Sequence, residues 1–562
     1  MGNNNSRIVI YQLLPRLFTN TNKHCVRNGS IEENGCGKLN HITSRVLNSI
    51  KNLGITHIWY TGVIEHAEKT TYTQFGIIPD NPHIVKGNAG SPYAIKDYYD
   101  IDPDIAVDVT RRINEFCNLV KRTHRAGMKV IIDFVPNHVA RQYHSDAKPD
   151  NITDLGADDN VNIAFSPDNN FYYIPGKTFA PSINLGVGED AYSEYPAKVT
   201  GNDCFMPNPC AHDWYETIKL NYGIDYLNYS SHFSPIPQTW NKMLHILLYW
   251  AEKGVDGFRC DMAHMVPVQF WNWAIANVKK KYPHIIFIAE LYDISIYHRY
   301  IYDAGFDFLY DKVNLYDTLR AIQCHNLSAT SLSTCWKRVD GIGPHMLNFL
   351  ENHDEQRIAS PQYLGNPSAA IPAIVVSSTF NTGPFMIYAG QELGEPATDA
   401  EGYSGLDGRT SIFDYWSIPT LRRWYNKGAC NNVNLKPEEI QLRNFYTTLL
   451  NALNNYPALA YGGFYDLTYV NYENQHFNPK RQFAYFRHTQ QEIMLIAVNF
   501  DNIDVDIEIN IPAHALNHIG LQPNNYRFLD ILSGNIGTII LSPQSPAKVN
   551  VKAQNAIILL LS

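Results

Sequence analysis

The chain repeats one pattern of apolar and polar positions three times. Apolar residues recur with the spacing of an amphipathic helix, a glycine follows, and a short apolar run comes next. The helical stripes are Val46, Leu47, Ile50 and Leu53; Ile113, Phe116, Cys117 and Val120; and Trp240, Met243, Leu244, Leu247 and Leu248. Gly54, Gly127 and Gly254 follow them, where a left-handed backbone costs glycine least. The pattern predicts helices that each lead into a strand.

Short apolar runs give eight candidate strands in all. They are Val9 to Leu14, Ile55 to Tyr60, Lys129 to Phe134, Val255 to Asp261, Ile285 to Glu290, Phe308 to Tyr310, Met346 to Glu351 and Phe385 to Ala389. Helices that alternate with such strands are typical of βα units around a parallel sheet. Eight strands is the number in a (β/α)₈ barrel. We therefore predict an α/β fold built on a (β/α)₈ TIM barrel.

Two regions depart from this pattern. Residues 139–230 are rich in Asn, Asp, Pro, Gly and Tyr and show little periodicity, which is typical of a functional loop or an inserted domain. From about residue 456, alternating runs such as FAYFRH and VDIEINIP predict an antiparallel β-sandwich. The predicted domains are a catalytic barrel of residues 1–138 and 231–455, an inserted domain after strand three (139–230), and a C-terminal domain (456–562).

Charge and cysteine content exclude several classes of protein. The net charge of −9 and the absence of a basic run disfavour a nucleic-acid partner. The nine cysteines form no Cys-x-x-Cys pair, so we expect free thiols in a reducing compartment rather than a zinc site. The sequence shows neither a signal peptide nor an apolar run of membrane-spanning length. We therefore expect a cytoplasmic protein with no membrane partner, and nothing in the sequence indicates a protein partner.

Polar residues with catalytic chemistry close several of the predicted strands. In a parallel barrel the active site lies where the strands end. The residues at these ends are Asp133, Asn137 and His138 after strand three, Arg259 and Asp261 on strand four, Glu290 on strand five, and Asn352, His353 and Asp354 after strand seven. Taken singly, an Arg-x-Asp pair is more often structural and an Asn-His-Asp run more often a loop. Their order along successive strand ends favours one shared site.

The paired carboxylates suggest glycoside hydrolysis. Arg259 and Asp261 are two residues apart on a strand and therefore face the same way, so the guanidinium should keep Asp261 ionised as a nucleophile requires. Glu290 follows an apolar strand, and a desolvated position near another carboxylate favours the protonated form that a general acid requires. A retaining glycosidase needs one ionised carboxylate as nucleophile and one protonated carboxyl group as general acid, so a pair with pKa values shifted in opposite directions is typical of such an enzyme.

At these residues the sequence resembles the α-amylase family, glycoside hydrolase family 13. The segments DFVPNH, GFRCDMAHM, FIAEL and FLENHD resemble the four short motifs of that family at barrel strands three, four, five and seven. YQLLPRLF near the start and MIYAGQELGE at strand eight resemble further family segments. The resemblance covers the whole chain, including the insertion and the C-terminal domain.

The resemblance implies a role for each matching residue. It implies that Asp261 is the nucleophile, Glu290 the general acid/base and Asp354 the group that binds sugar hydroxyls and stabilises the transition state. The other residues implied to lie near the substrate are Arg259, which orients Asp261, His138 and His353 in subsite −1, Tyr93 as an aromatic platform, and Arg357 near the same sugar. Tyr93 could instead be an ordinary packed tyrosine and Arg357 a structural arginine.

The sequence departs from the family pattern at three places. His264 and Met265 stand where relatives often carry Lys and His, so His264 becomes a candidate acceptor-side residue, with simple packing against the insertion as the alternative. The fifth motif reads IDYLN and matches only through Leu227 and Asn228. The calcium loop of some relatives is absent, while Asn137 matches a calcium ligand in many amylases, which leaves a structural calcium ion open.

The implied activity is retaining hydrolysis of α-glucosidic bonds, with α-1,4 bonds in starch, glycogen or maltooligosaccharides as the expected substrate. No cofactor is needed for this chemistry. A transglycosylase, isomerase or phosphorylase of the same family would share all three carboxylates and remains an alternative. A non-catalytic carbohydrate-binding relative is a further alternative, which the presence of all three carboxylates disfavours.

Overall fold

The computed structural model describes residues 7–562 of the chain. Residues 1–6 lie outside the described residues. They include the start of the predicted barrel domain and part of the segment in which no signal peptide was predicted. Eight parallel strands form a closed barrel in which each strand pairs with its neighbours in the chain and the first pairs with the last. The strands are β1 (Val9–Leu13), β2 (His57–Tyr60), β3 (Lys129–Phe134), β4 (Gly257–Cys260), β5 (Ile286–Ala289), β6 (Phe308–Tyr310), β7 (Met346–Phe349) and β8 (Phe385–Tyr388).

The predicted barrel is therefore confirmed, with small shifts at the strand ends. All eight predicted strands are present, and β3 and β6 have the predicted bounds. Strand β4 ends at Cys260 and β5 at Ala289, so Asp261 and Glu290 directly follow their strands. A residue that follows a strand is released from the sheet ladder, which lets its side chain turn into the space above the barrel.

Helices surround the barrel and fill the connections between strands. Their bounds are Pro15–Phe18, Ile31–Asn34, Ser44–Lys51, Arg112–Arg125, Gln238–Glu252, Val268–Lys281, Tyr297–Tyr302, Asp317–Cys324, Ser331–Arg338, Ile371–Thr379, Pro419–Tyr425, Pro437–Asn455 and Pro457–Ala460. In the second predicted stripe, Ile113 and Cys117 are only partly buried, whereas Leu119 and Thr123 are buried. The buried face of this helix therefore contains Leu119 and Thr123 and is turned away from the face predicted through Ile113 and Cys117.

The three glycines that end the predicted helix stripes all adopt positive φ angles. The values are +100° at Gly54, +74° at Gly127 and +93° at Gly254. Gly54 has a second constraint, because a Cβ atom there would lie 2.7 Å from the backbone nitrogen of Asn451. The glycine therefore allows the last barrel helix to pack directly against the start of the second βα unit.

The segment between β3 and the next barrel helix contains only short pieces of sheet. The antiparallel pairs are His138–Ala140 with Thr217–Lys219, Tyr173–Ile174 with Ala197–Lys198, and Ile224–Asp225 with Ser230–Ser231. Side-chain hydrogen bonds to the backbone hold much of the remainder, as in the bonds from the amide of Asn221 to the carbonyls of Ser166 and Asn169. Such bonds explain why the segment lacks hydrophobic periodicity and still has one conformation.

The C-terminal region forms the predicted antiparallel β-sandwich. One sheet has six strands, in the spatial order Gly463–Asp466, Gln482–His488, Ile493–Asn499, Asn555–Leu561, Asn524–Asp530 and Ile536–Leu541. Val505–Ile509 pairs with Ala547–Val551 in a second sheet, and the helix Ala513–Ile519 also contributes to the core between them. The exact domain boundaries given above stay predictions.

The structure bears on the predicted absence of a membrane span and on the predicted free thiols. None of the helices in residues 7–562 has the length and apolar character needed to cross a membrane. All nine cysteines are free thiols. Neither observation bears on the cellular location, which stays a prediction.

Candidate active site

A cleft opens above the carboxyl ends of the barrel strands. It encloses about 730 Å³ together with its open mouth. The residues that line it are Lys86, Ser91, Tyr93, His138, Trp214, Glu216, Thr217, Asp261, Met262, Glu290, Tyr292, Asp354, Ile412 and Phe413. Of the residues singled out in the sequence, Asp261, Glu290, Asp354, Tyr93 and His138 therefore share one cleft.

Arg259 lies under the cleft and contacts three carboxylates. Its Nη1 is 2.8 Å from Asp261 Oδ1 and 3.4 Å from Asp133 Oδ1, and its Nη2 is 2.9 Å from Glu290 Oε1. The contact with Glu290 is an ion pair rather than a well-directed hydrogen bond, since Nη2 has no partner at hydrogen-bond angles. The side chain is 1% exposed, so these charges interact through the protein interior rather than through water.

The electrostatics of Asp261 differ from the expectation. Burial raises the pKa of Asp261 well above its usual value, Glu290 raises it further, and Arg259 only partly opposes this. Asp133 and Asp354 add to the same effect. The charge of Arg259 therefore offsets only part of the effects that raise the pKa of Asp261. Carboxyl groups that lie this close to one another titrate as a group rather than as single residues.

The carboxylate of Glu290 accepts two hydrogen bonds from the protein. The backbone N–H of Met262 donates to Oε2 at 2.7 Å, and the Tyr292 hydroxyl lies 2.5 Å from Oε1. Met262 has a positive φ of 43°, which turns its N–H toward Glu290 instead of continuing β4. Tyr292 is 37% exposed and forms part of the cleft wall. Glu290 is thereby fixed beside Asp261 on the floor of the cleft.

Asp354 extends into the cleft from the loop after β7. Its side chain is 41% exposed, and Oδ2 lies 3.0 Å from His353 Nε2. Although desolvation opposes ionisation, the charge and hydrogen bond of His353, with help from Arg259, lower the pKa of Asp354 to about 2. Asn352 shapes this loop by accepting the backbone N–H of Asp354 through Oδ1 at 2.8 Å. Asp354 is therefore the carboxylate of the site that stays ionised.

His353 is held between β1 and the loop that carries Tyr93. Its Nδ1 is 2.7 Å from the Gln12 amide nitrogen, and its Nε2 is 2.5 Å from the Tyr93 hydroxyl. The rings of Tyr93 and His353 are stacked with centroids 5.2 Å apart. Tyr93 thus forms an aromatic surface at the cleft, and His353 is enclosed behind it with a fully buried side chain.

His138 lines the cleft next to Tyr93, to whose backbone it hydrogen-bonds, and is neutral. Burial, with the charges of Lys219 and Lys86, lowers the pKa of His138 to about 3. The ring lies 5.1 Å from that of Trp214, which comes from the inserted segment. The two rings are tilted by 56° to each other, and Trp214 adds an aromatic face with a polar edge to the cleft wall, which suits contact with a sugar.

Asn137 does not fit the calcium ligand that the resemblance allowed. Its Oδ1 accepts a hydrogen bond from Lys219 Nζ at 2.9 Å, and its amide donates to the carbonyl of Gly201 at 2.7 Å. Lys219 is buried and its ammonium also lies 2.5 Å from Asp203 Oδ1. An ammonium group therefore takes the cation position beside Asn137, and a second cation there would be repelled.

Two further candidates lie away from the cleft surface. Arg357 is fully buried, donates to Glu351 Oε2 at 2.9 Å and to Thr410 Oγ1 at 2.9 Å, and lines neither the cleft nor its extension past Asp354. The structure thus places it as a structural arginine. His264 is exposed on the rim, with its ring 6.4 Å from that of Tyr292. In the fifth motif, Leu227 is 66% exposed and Asn228 bonds to Asp225, away from the cleft.

Sequence reasoning missed several residues of the cleft. Tyr292 stands two residues after Glu290, and this spacing alone could have indicated it as a neighbour of the acid. Trp214 and the ion pair of Lys86 with Glu216, at 2.7 Å, come from irregular segments that give no periodic signal. The cleft also extends past Asp354 to Lys312, Glu355 and Arg409, which the motifs do not cover.

Comparison with known proteins places this cleft in a family. Residues 12–409 match the family described as alpha amylase, catalytic domain. Alpha-amylase 2 of Dictyoglomus thermophilum is 22% identical over 551 residues, which is 96% of this chain and 75% of that protein. Among solved structures, the maltogenic alpha-amylase AmyB of Thermotoga neapolitana has a TM-score of 0.64 at 20% identity, with 100% of this chain and 99% of that chain covered.

The debranching enzyme of Nostoc punctiforme has a TM-score of 0.65 at 19% identity, with 98% of both chains covered. At such identities the solved structures show that the fold is shared. The family match spans β2 to β8 and includes every residue that converges on Arg259. The chain therefore belongs to the α-amylase family of glycoside hydrolases.

Proposed function

We propose that this protein cleaves α-glucosidic bonds of α-glucans with retention of configuration, with Asp261 as nucleophile and Glu290 as general acid/base. The observation that carries the assignment is the shared contact of both carboxylates with Arg259. Two terminal nitrogens of one guanidinium hold Asp261 and Glu290, at 2.8 and 2.9 Å. Retaining enzymes hold the two carboxyl groups about 5–5.5 Å apart, which leaves no room for a water between nucleophile and sugar, and two carboxyl groups that share one guanidinium lie close to each other.

The first chemical step needs a proton on Glu290. Glu290 then donates this proton to the glycosidic oxygen while Asp261 attacks the anomeric carbon, so the bond to the leaving sugar breaks and a covalent β-glycosyl ester forms. Tyr292 supports this state because its hydroxyl, 2.5 Å from Glu290 Oε1, can act as acceptor as well as donor. Arg259 favours the ionised form of Asp261 through its 2.8 Å hydrogen bond.

The second step reverses the roles at Glu290. Its carboxylate takes a proton from water, the water oxygen attacks the anomeric carbon, and the ester bond to Asp261 breaks to release an α-configured sugar. Asp354, with its pKa lowered to about 2, is the group that supplies a fixed negative charge to the sugar hydroxyls and to the positively charged transition state.

The walls of the cleft suggest how the sugar is held. Tyr93 offers an aromatic face on one side, and Trp214 beside the neutral His138 offers another. The buried His353 acts through Tyr93 and Asp354, both of which it contacts. An α-1,4-linked glucan is the expected substrate, and transfer to a second sugar instead of water remains the competing outcome within the family.

Product analysis tests this proposal. Proton NMR at the start of hydrolysis of maltoheptaose should show the α-anomer before mutarotation, and product sizes from starch and pullulan should give the bond preference. An initial β-anomer would contradict retention. Products longer than the substrate would show that transfer outcompetes hydrolysis, and no reaction with any α-glucan would contradict the proposed substrate class.

A further inference from the structure

A buried lysine lies where the inserted segment meets the barrel. The strand His138–Ala140, which follows β3, pairs with Thr217–Lys219 of the inserted segment, and His138 lies directly opposite Lys219. Residues opposite each other in an antiparallel pair carry their side chains on the same face. The side chain of Lys219 is only 2% exposed, so its ammonium group needs partners inside the protein.

The ammonium group of Lys219 contacts three parts of the chain. Its Nζ lies 2.9 Å from Asn137 Oδ1 in the loop after β3 and 2.5 Å from Asp203 Oδ1 in a turn of the inserted segment. The third neighbour is the ring of Tyr226, whose centroid lies 5.7 Å from Nζ. Tyr226 belongs to the fifth motif, IDYLN, which departs from the family pattern at this residue. One cation therefore joins the barrel to two separate pieces of the inserted segment.

These surroundings suit a single positive charge. Asp203 forms an ion pair with Lys219, and within residues 7–562 no second carboxylate does so. Asn137 adds a neutral oxygen, and the face of an aromatic ring attracts an ammonium group. A divalent ion at this buried place would have one carboxylate for two charges, and an uncompensated buried charge is costly. The oxygen of Asn137 is held toward the lysine because its amide group donates to the carbonyl of Gly201 at 2.7 Å.

We propose that the ammonium group of Lys219 is a built-in cation that fixes the inserted segment to the barrel in place of a metal ion. Because this cation is covalently part of the chain, no free ion has to bind before the junction forms, and a chelator cannot remove it. The resemblance to the family allowed a calcium ligand at Asn137, and the hydrogen bond from Lys219 gives that oxygen another partner. The departure of the fifth motif at Tyr226 has the same explanation, since its ring covers the ammonium group.

The same ammonium group acts on the cleft through His138. Burial is the largest cause that lowers the pKa of His138 to about 3, and the charge of Lys219 is the next. His138 lines the cleft together with Trp214 and Thr217 of the inserted segment, whereas Lys219 does not line it. Lys219 is therefore a positioning residue, which holds this part of the cleft wall and keeps its histidine neutral. This second role rests on the function proposed above.

Hydrogen–deuterium exchange of the full-length protein, read by mass spectrometry, tests the junction itself. Peptides that cover His138–Ala140 and Thr217–Lys219 should exchange equally fast with added Ca²⁺ and with a chelator, because the cation is part of the chain. Lys219→Met keeps most of the side chain and removes its charge. It should speed exchange in these peptides at least about tenfold, because Asn137 and Asp203 lose their partner.

Lys242→Met is the matched control. Lys242 lies on the barrel helix Gln238–Glu252 and also holds the inserted segment, through hydrogen bonds to the carbonyl of Asp154 and to Asn170 Oδ1, both at 2.8 Å. Its variant should speed exchange near Asp154 and Asn170 and leave the two paired strands unchanged. Faster exchange of these strands in the natural protein with chelator would overturn the proposal, because the junction would then need a metal ion. Exchange in Lys219→Met as slow as in the natural protein would overturn it as well.

NMR titration of the histidine ring tests the link to the cleft. His138 should titrate at higher pH in Lys219→Met than in the natural protein, since one of the charges that lower its pKa is gone. In Lys242→Met it should titrate as in the natural protein. An unchanged titration in Lys219→Met would overturn the role of Lys219 toward the cleft. Neither measurement uses a substrate, so these outcomes are independent of whether an α-glucan is cleaved.

Discussion

Two clusters of four carboxylates lie near the carboxyl end of the same barrel and are compensated differently. In the cleft, Arg259 contacts Asp133, Asp261 and Glu290, and Asp354 lies against His353. In the second cluster, formed by Glu65, Asp97, Asp100 and Asp146, Arg112 contacts Asp100 alone. In the cleft, a guanidinium supplied by the chain orients three of the acids. In the other cluster, the buried Oε2 of Glu65 has no hydrogen-bond partner.

The pKa values of two aspartates illustrate the difference. The charges of His353 and Arg259 overcome desolvation and lower the pKa of Asp354 to about 2. Burial, opposed by hydrogen bonds and reinforced by Asp100, raises the pKa of Asp97 to about 7. The same side chain thus behaves as a fixed charge in one place and as a readily protonated group in the other, according to the cations that face it.

The largest expected effect tests the reactive pair itself. Asp261→Asn should lower kcat by several orders of magnitude, because an amide cannot form the glycosyl ester. The amide can still accept the hydrogen bond from Arg259, so the fold should persist. Steady-state kinetics on maltoheptaose and circular dichroism on the same preparation check this. Activity close to that of the natural enzyme would remove Asp261 from the role of nucleophile.

The next prediction removes the cation at the centre of the cleft. Arg259→Met should abolish activity and reduce the free energy of unfolding by about 3–5 kcal/mol, since three buried carboxylates lose their partner. Arg112→Met is the matched control, because Arg112 is 13% exposed and pairs with one carboxylate, Asp100, so the loss should be smaller. Urea unfolding measures both. If both variants lost the same free energy of unfolding, the three carboxylate contacts of Arg259 would contribute no more to stability than the single contact of Arg112.

The barrel was predictable from the sequence because its strands are apolar runs and its helices carry apolar stripes. The convergence of Asp261, Glu290 and Asp354 followed from their places after strands. What the sequence could not show depends on contacts between distant irregular segments. Nothing near Lys219 indicates that its ammonium reaches Asn137 across 82 positions. In the same way, no sequence pattern indicates that the hairpin of Ile64–His66 and Ile95–Ile101 pairs Glu65 with Asp97.

A smaller effect concerns the pH dependence of the cleft. Asp133 is one of the charges that raise the pKa of Asp261, although burial is the largest cause. Asp133→Asn removes that charge and should lower the pKa of Asp261. Because the reactive form of Asp261 is ionised, the acidic limb of the kcat/KM profile should move to lower pH. A limb that stays in place, or moves to higher pH, would show that Asp133 does not act on the nucleophile through its charge.

The smallest effect concerns the rim of the cleft at His264. The side chain is exposed, its ring lies 6.4 Å from that of Tyr292, and Tyr292 contacts Glu290. This position follows the nucleophile by three residues, and we expect it to face the leaving sugar. A neutral His offers one donor and one acceptor, so His264→Ala should remove one or two hydrogen bonds to that sugar.

Each such bond contributes about 0.5–1.5 kcal/mol, so KM for maltoheptaose should rise between a few-fold and tenfold per bond. An activated aryl glucoside needs little binding on the leaving-group side, and its turnover should hardly change. His298→Ala, at another exposed histidine that lines no part of the cleft, is the control. Equal losses on both substrates, or no loss on either, would mean that His264 does not contact the leaving sugar. That result would confine substrate recognition to the walls formed by Tyr93, His138 and Trp214.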